Sequence, residues 1–194
     1  MKKRGLITLI IVLSVAPLGA QKTYKADAAS TVITWEGKKI GKTHTGSVNL
    51  KEGWITVEKN AFTGGEFVVD MTSIKDLDLK DDKMRGMLEG HLKSDDFFGV
   101  EKYPESKLVI TGSDKFVNGS ATVKGNLTVK EATHPVEFTA NESIKGKVIT
   151  YTAVITFDRS LYDVRYGSGK FFSNIGDAAI NDEIPLSVTL VVEK

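Results

Sequence analysis

The 194-residue sequence predicts a mainly-β domain, an antiparallel barrel or sandwich of about eight strands covered by one amphipathic helix. Short runs rich in Val, Ile, Thr and aromatic residues recur between Gly, Asn, Asp and Lys, as strands alternate with turns. Within several runs apolar and polar residues alternate at period two, the pattern of a sheet with one buried face. One stretch, residues 79–93, carries apolar residues at helical spacing instead.

Strand signals cover residues 30–36, 44–50, 54–59, 65–71, 106–111, 120–129, 134–141, 148–158 and 184–193. In 65–71, Phe67, Val69 and Met71 alternate with Glu66, Val68 and Asp70, so one face is continuously apolar. Lys51-Glu52-Gly53, Asn118-Gly119 and Lys145-Gly146 resemble tight hairpin turns, Asn-Gly most strongly. Short turns between so many strands favour an antiparallel barrel or sandwich. A small barrel is just wide enough to fill itself with side chains or to hold one slender ligand. Trp35, Trp54, Phe67, Val69, Leu108, Ile110, Leu127, Val129, Phe138, Ile155 and Phe157 supply the inward apolar positions for either outcome.

In the helical stretch, Met84, Met87, Leu88, His91 and Leu92 form one stripe, opposite Asp81, Asp82, Lys83, Arg85 and Glu89. Gly86 and Gly90 each weaken a helix by about 1 kcal/mol relative to Ala. This helix must therefore dock its apolar face on the sheet, closing one end or seam of the barrel.

Residues 1–20 have the pattern of a signal peptide: Lys2, Lys3 and Arg4, an apolar run over 6–15, then Pro17 and the small pair Gly19-Ala20. The expected product is a single domain, residues 21–194, periplasmic or secreted from a bacterium, with no lasting membrane span because the apolar run is short; a retained N-terminal anchor is the alternative, since Leu18 is a less suitable residue at the minus-three position. Cleavage removes three positive charges and takes the formal net charge from +1 to about −2. A near-neutral surface argues against nucleic acid as a partner. The absence of cysteine excludes disulfides, lipoprotein attachment and thiol catalysis.

His44, His91 and His134 are the three histidines, and none has another at HxH or HxxxH spacing, so no metal site is expected. His91 near Asp95 and Asp96 admits an acid–base pair, as in an envelope hydrolase. The simpler reading is a histidine at a helix C-terminus, where positive charge suits the dipole. The serines lack a G-x-S-x-G frame, and no phosphate-loop or dinucleotide fingerprint occurs. No cofactor is expected.

Ordered landmarks run along the chain: Val32-Ile33-Thr34-Trp35, His44-Thr45-Gly46, the run FVVDMTSI at 67–74, and GHLKSDDFF at 90–98 followed by Tyr103-Pro104. VKGNLTV at 123–129, Thr133-His134-Pro135-Val136, Phe157-Asp158-Arg159 and Tyr162-Asp163-Val164 complete the set. In these the chain resembles the YceI-like family over nearly all of residues 21–194. The resemblance implies a lipocalin-like antiparallel barrel holding a long amphipathic lipid, usually a polyisoprenoid, in an elongated interior pocket. Departures are Glu131-Ala132 before Thr133-His134-Pro135, Gly99 after the paired phenylalanines, and a distinctive 165–182 segment with Arg165, Tyr166, Lys170, Phe171 and Phe172.

The expected function is non-enzymatic binding, transport or sequestration of such a lipid. Trp35, Phe67, Leu88, Phe97, Phe138 and Phe157 are the expected pocket wall, and His44, Lys93 and Arg159 the expected headgroup contacts. The alternatives are the His91 hydrolase and a solid-core envelope module; a homodimer is left open.

Overall fold

The computed structural model describes residues 21–193; the expected signal segment, residues 1–20, lies outside the described residues. The strands are β1 (Lys22–Lys25), β2 (Val32–Lys39), β3 (Lys42–Glu58), β4 (Ala61–Asp76), β5 (Glu105–Ser113), β6 (Ser120–Val129), β7 (Ala132–Lys145), β8 (Val148–Asp158) and β9 (Glu183–Glu193). Helix α1 (Asp82–Lys93) lies between β4 and β5, and two short 3-10 turns, Arg159–Tyr162 and Gly176–Ala178, precede β9. From β2 onward each strand pairs antiparallel with the next, and β9 closes on β2. The result is an eight-stranded, up-and-down, lipocalin-like barrel with no open edge. Among the described residues no helix is long and apolar enough to cross a membrane.

This connectivity separates the two ends. The β2–β3 hairpin, α1, the β6–β7 turn and the long 159–182 segment share one end, the mouth, because every second connection of an up-and-down barrel returns there. Away from the mouth, Phe62, Phe116 and Tyr151 pack edge-on and tilted, with centroids 4.9–5.7 Å apart. That aromatic plug seals the far end.

Two hairpins form as the sequence indicates. Asn118 and Gly119 take φ 52° and 78°, and Val117 and Ser120 exchange both backbone hydrogen bonds, at 3.0 and 3.1 Å, as a two-residue turn of left-handed residues does. Gly146, at φ 62°, turns β7 into β8.

Lys51-Glu52-Gly53 is different: it is a bulge within one 17-residue strand, with the register to β4 shifting between Leu50 and Glu52. Before the bulge β3 pairs with β2, and beyond it with β1, a short strand without enough alternation to signal itself. A bulge also shifts the alternation by one residue. Trp54, in phase with Val48 and Leu50 by sequence, consequently faces outward and is 42 % exposed, while Ile55 takes the inner position.

Helix α1 begins at Asp82 because Asp81 caps it, its carboxylate accepting from the Met84 N–H at 2.8 Å. The Leu79 N–H is instead donated to Asp76 Oδ1 at 2.8 Å. Met84 and Met87 are exposed at the surface, and no residue of α1 is fully buried. The expected apolar stripe therefore docks through Leu88, His91 and Leu92 alone, and α1 rests on the mouth as a lid.

Candidate functional site

Inward positions on all eight barrel strands enclose a cavity of about 430 Å³ whose wall is overwhelmingly apolar. Its width depends on which residues sit opposite one another. Trp35 and Gly46 are register partners across β2 and β3, as Gly53 and Phe67 are across β3 and β4. Each aromatic ring covers a bare glycine, where a β-carbon would collide with it at 2.1 and 2.4 Å. On β7 and β8 the paired Ala140 and Ala153 leave space that larger side chains would fill.

Trp35, Phe67, Leu88, Phe97, Phe138 and Phe157 all line this cavity, and of the earlier inward set only Trp54 does not. Leu88, His91 and Leu92 of α1, with Phe97 and Phe98 just after it, cover the mouth. The chain reverses there through Ser94, whose N–H reaches the Gly90 and His91 carbonyls, and Gly99 at φ 55°. His91 packs edge-on against Phe97 and Tyr166, at 5.0 and 4.4 Å, joining the lid to the 159–182 segment.

Arg159 explains how that segment is held. It is 1 % exposed and gives Nε to the Asn181 carbonyl, Nη1 to the Val164 and Tyr166 carbonyls, and Nη2 to the Ile180 carbonyl, at 2.8–3.0 Å. Asp182 lies 3.3 Å from Nη2. Burial lowers the pKa of the guanidinium and Asp182 opposes that shift. Arg159 borders the cavity, but its donors are spent on the loop, so it acts as the staple of the mouth. Nearby, burial pushes the Tyr162 hydroxyl up to about 12.

His44 lines the cavity at its mouth; Lys93 does not. The His44 Nδ1 lies 3.0 Å from Asp78 Oδ2 and 3.7 Å from Asp76 Oδ2. Burial raises the Asp78 carboxyl, but hydrogen bonds from the Thr45 N–H and from His44 outweigh it and hold the group below the usual carboxylate range. His91 and Asp96 stand 3.7 Å apart, with Asp96 largely exposed and Asp95 exposed beside it.

Several site residues escaped sequence reasoning. Lys38, Lys39 and Lys42, on the β2–β3 hairpin, line the cavity entrance; the cluster KKIGK between two strand signals is their trace. Trp35 Nε1 and Ser106 Oγ are buried donors without a protein partner, and both residues belong to the wall. They leave two polar points inside an apolar chamber.

The YceI-like domain pattern matches residues 24–192. A UPF0312 protein of Shewanella sp. (strain MR-7) is 26% identical over 201 residues, covering 97% of each chain. A UPF0312 protein of Pseudomonas putida (strain GB-1) is 42% identical over 57 residues, 29% of this chain and 30% of that one. Among solved structures, Burkholderia cenocepacia BcnA superposes with a TM-score of 0.66 at 20% identity, covering 86% of this chain and 98% of that one. A polyisoprenoid binding domain from Saccharophagus degradans gives a TM-score of 0.62 at 13% identity, covering 88% and 97%. A Campylobacter jejuni YCEI protein gives 0.55 at 16% identity, covering 100% and 99%. At these identities the structural likeness concerns the barrel itself. With the domain pattern spanning nearly every described residue, the chain belongs to the YceI-like family.

Proposed function

We propose that this protein binds a long-chain amphipathic lipid of polyisoprenoid type inside the barrel and carries or sequesters it in the bacterial envelope, without catalysing a reaction. The observation that carries this reading is the enclosed apolar cavity of about 430 Å³, within the range of about 300–1,000 Å³ for small-ligand sites. Each methylene withdrawn from water contributes about 0.8 kcal/mol. Ten of them give about 8 kcal/mol against an association cost of about 4–15 kcal/mol, so affinity grows with the length of chain buried and needs no catalytic group. The polyisoprenoid binding domain of Saccharophagus degradans shares the fold and supports the same ligand class. Because the Arg159 donors are occupied and Lys93 lies outside the lining, the headgroup falls to His44 with Lys39 and Lys42 at the mouth.

Native mass spectrometry after mild purification tests the proposal. The expected result is a co-purified lipid of long hydrocarbon mass. A protein that stays ligand-free and takes up no polyisoprenoid or other long-chain lipid from vesicles would overturn it.

A further inference from the structure

We propose that His44, Asp76 and Asp78 form a binding site for one divalent transition-metal ion of the zinc class at the mouth of the barrel. His44 is near the start of β3, Asp76 ends β4, and Asp78 follows on the way to α1. The barrel register brings these positions together although His44 and Asp76 are 32 positions apart in the chain. One ligand atom from each lies within 4.8 Å of the other two. A tetrahedral ion with bonds of about 2.0–2.1 Å spaces its ligands about 3.3 Å apart; the Nδ1 separations of 3.0 and 3.7 Å from the two carboxylates bracket that spacing.

The carboxylates are already oriented. Asp76 Oδ1 accepts from the Leu79 N–H at 2.8 Å, and Asp78 Oδ1 from the Thr45 N–H at 2.7 Å. Asp78 Oδ2 meets His44 Nδ1 in a hydrogen bond at 3.0 Å, whose proton an ion would replace, and Asp76 Oδ2 faces the same nitrogen, as when outer hydrogen bonds fix metal ligands in place. Asp76 adds an independent observation: its side chain is 0 % exposed, and Oδ2 has no hydrogen-bond partner. A buried carboxylate oxygen without a partner is costly, and a cation held between it, Asp78 and His44 satisfies it.

The ligand chemistry selects the ion. An imidazole among the ligands disfavours calcium and magnesium, which take oxygen ligands, and the lack of thiolate or thioether disfavours copper(I). Three protein ligands leave a position for water or another oxygen. The Asp76 N–H also donates to Glu89 Oε1 of α1 at 3.0 Å, so an ion here would tie the β3–β4 rim to the residue that anchors the lid. The site rests on this rim geometry, and because His44 is also a proposed headgroup contact, an ion bound there would meet the headgroup in place of the free imidazole.

Titration of the EDTA-stripped protein with Co²⁺, followed by visible absorption, and with Zn²⁺, followed by calorimetry, tests it. One equivalent is expected to bind, with visible bands of low-coordinate cobalt. Asp76→Asn and His44→Gln should each weaken binding by at least the 10–100-fold that loss of a mere supporting group costs. Asp78→Asn, at a partly exposed position, gives the same test if Asp76→Asn fails to fold. His134→Gln, outside the cluster, should leave binding unchanged. The proposal is overturned by an absence of stoichiometric Zn²⁺ and Co²⁺ binding, by binding that survives in folded His44→Gln and Asp78→Asn, or by effective competition from Ca²⁺. Lipid uptake enters none of these readouts, so failure here leaves the lipid proposal standing, and the converse holds.

Discussion

At Gly46 the barrel wall has no room for a β-carbon: one built there would lie 2.0 Å from the Lys75 carbonyl oxygen and 2.1 Å from the Trp35 ring. The carbonyl belongs to the neighbouring strand and cannot rotate away, so Gly46→Ala must move backbone, indole or both. Overpacking of this kind costs about 1–3 kcal/mol, and the upper half of that range is expected here. Gly64→Ala, where nothing lies within 4 Å, should change stability far less. Urea midpoints of the two variants check the difference, with a shift in tryptophan fluorescence expected for Gly46→Ala alone. Trp35 and the His44-Thr45-Gly46 run were both visible as landmarks, yet nothing in the chain says that the ring covers that glycine. Only the β2–β3 register does. Trp54 shows the reverse failure, since period-two alternation predicts its face correctly only until a bulge intervenes, and a bulge built from Lys51-Glu52-Gly53 has the composition of a turn.

Helix α1 and the 159–182 segment shape the mouth, and polar contacts add to apolar burial in holding both: Glu89 accepts from the Asp76 N–H, and Arg159 gathers the carbonyls of the segment. In the segment, burial raises the Asp158 carboxyl, but the Lys170 ammonium and the Ser160 hydroxyl and N–H outweigh it and keep the group below its usual range. A depressed folded-state pKa stabilises fully above the unfolded value of about 3.9 and is lost as pH falls through the lower folded value. Asp158→Asn should therefore be less stable than the parent near neutral pH, with the gap closing as both are acidified past the unfolded value and through the lower folded one. Limited proteolysis of the exposed segment across that pH range, beside urea midpoints, measures it; a gap that persists at low pH would contradict the ionic origin. The sequence marks 165–182 as unusual but hides what holds it, because the partners of Arg159 are mainly backbone carbonyls, which any residue supplies. Similarly, Met84 and Met87 have helical spacing whether or not a surface awaits them.

Across the whole molecule, the strand pattern and family landmarks make the closed barrel legible, whereas a hollow interior is not. Whether eight strands enclose a cavity or a packed core depends on the summed volume of the inward side chains and on how they meet across the barrel. Those pairings are non-local. The small inner residues are decisive, and Ala153, on β8 between Ala140 and Val188, is one that lines the cavity. Ala153→Phe would place a ring in this space. In a packed core such a change costs about 1–3 kcal/mol; in a void it gains dispersion contacts instead. The expected outcome is stability unchanged or raised, together with weaker uptake of long-chain lipid. Displacing about two methylenes costs the ligand about 1.6 kcal/mol, or roughly tenfold in affinity. Displacement of a fluorescent long-chain probe, with a thermal melt on the same sample, reads both quantities. Lower stability with uptake undiminished would locate binding elsewhere, because a ligand inside the barrel and an added ring at Ala153 compete for the same volume.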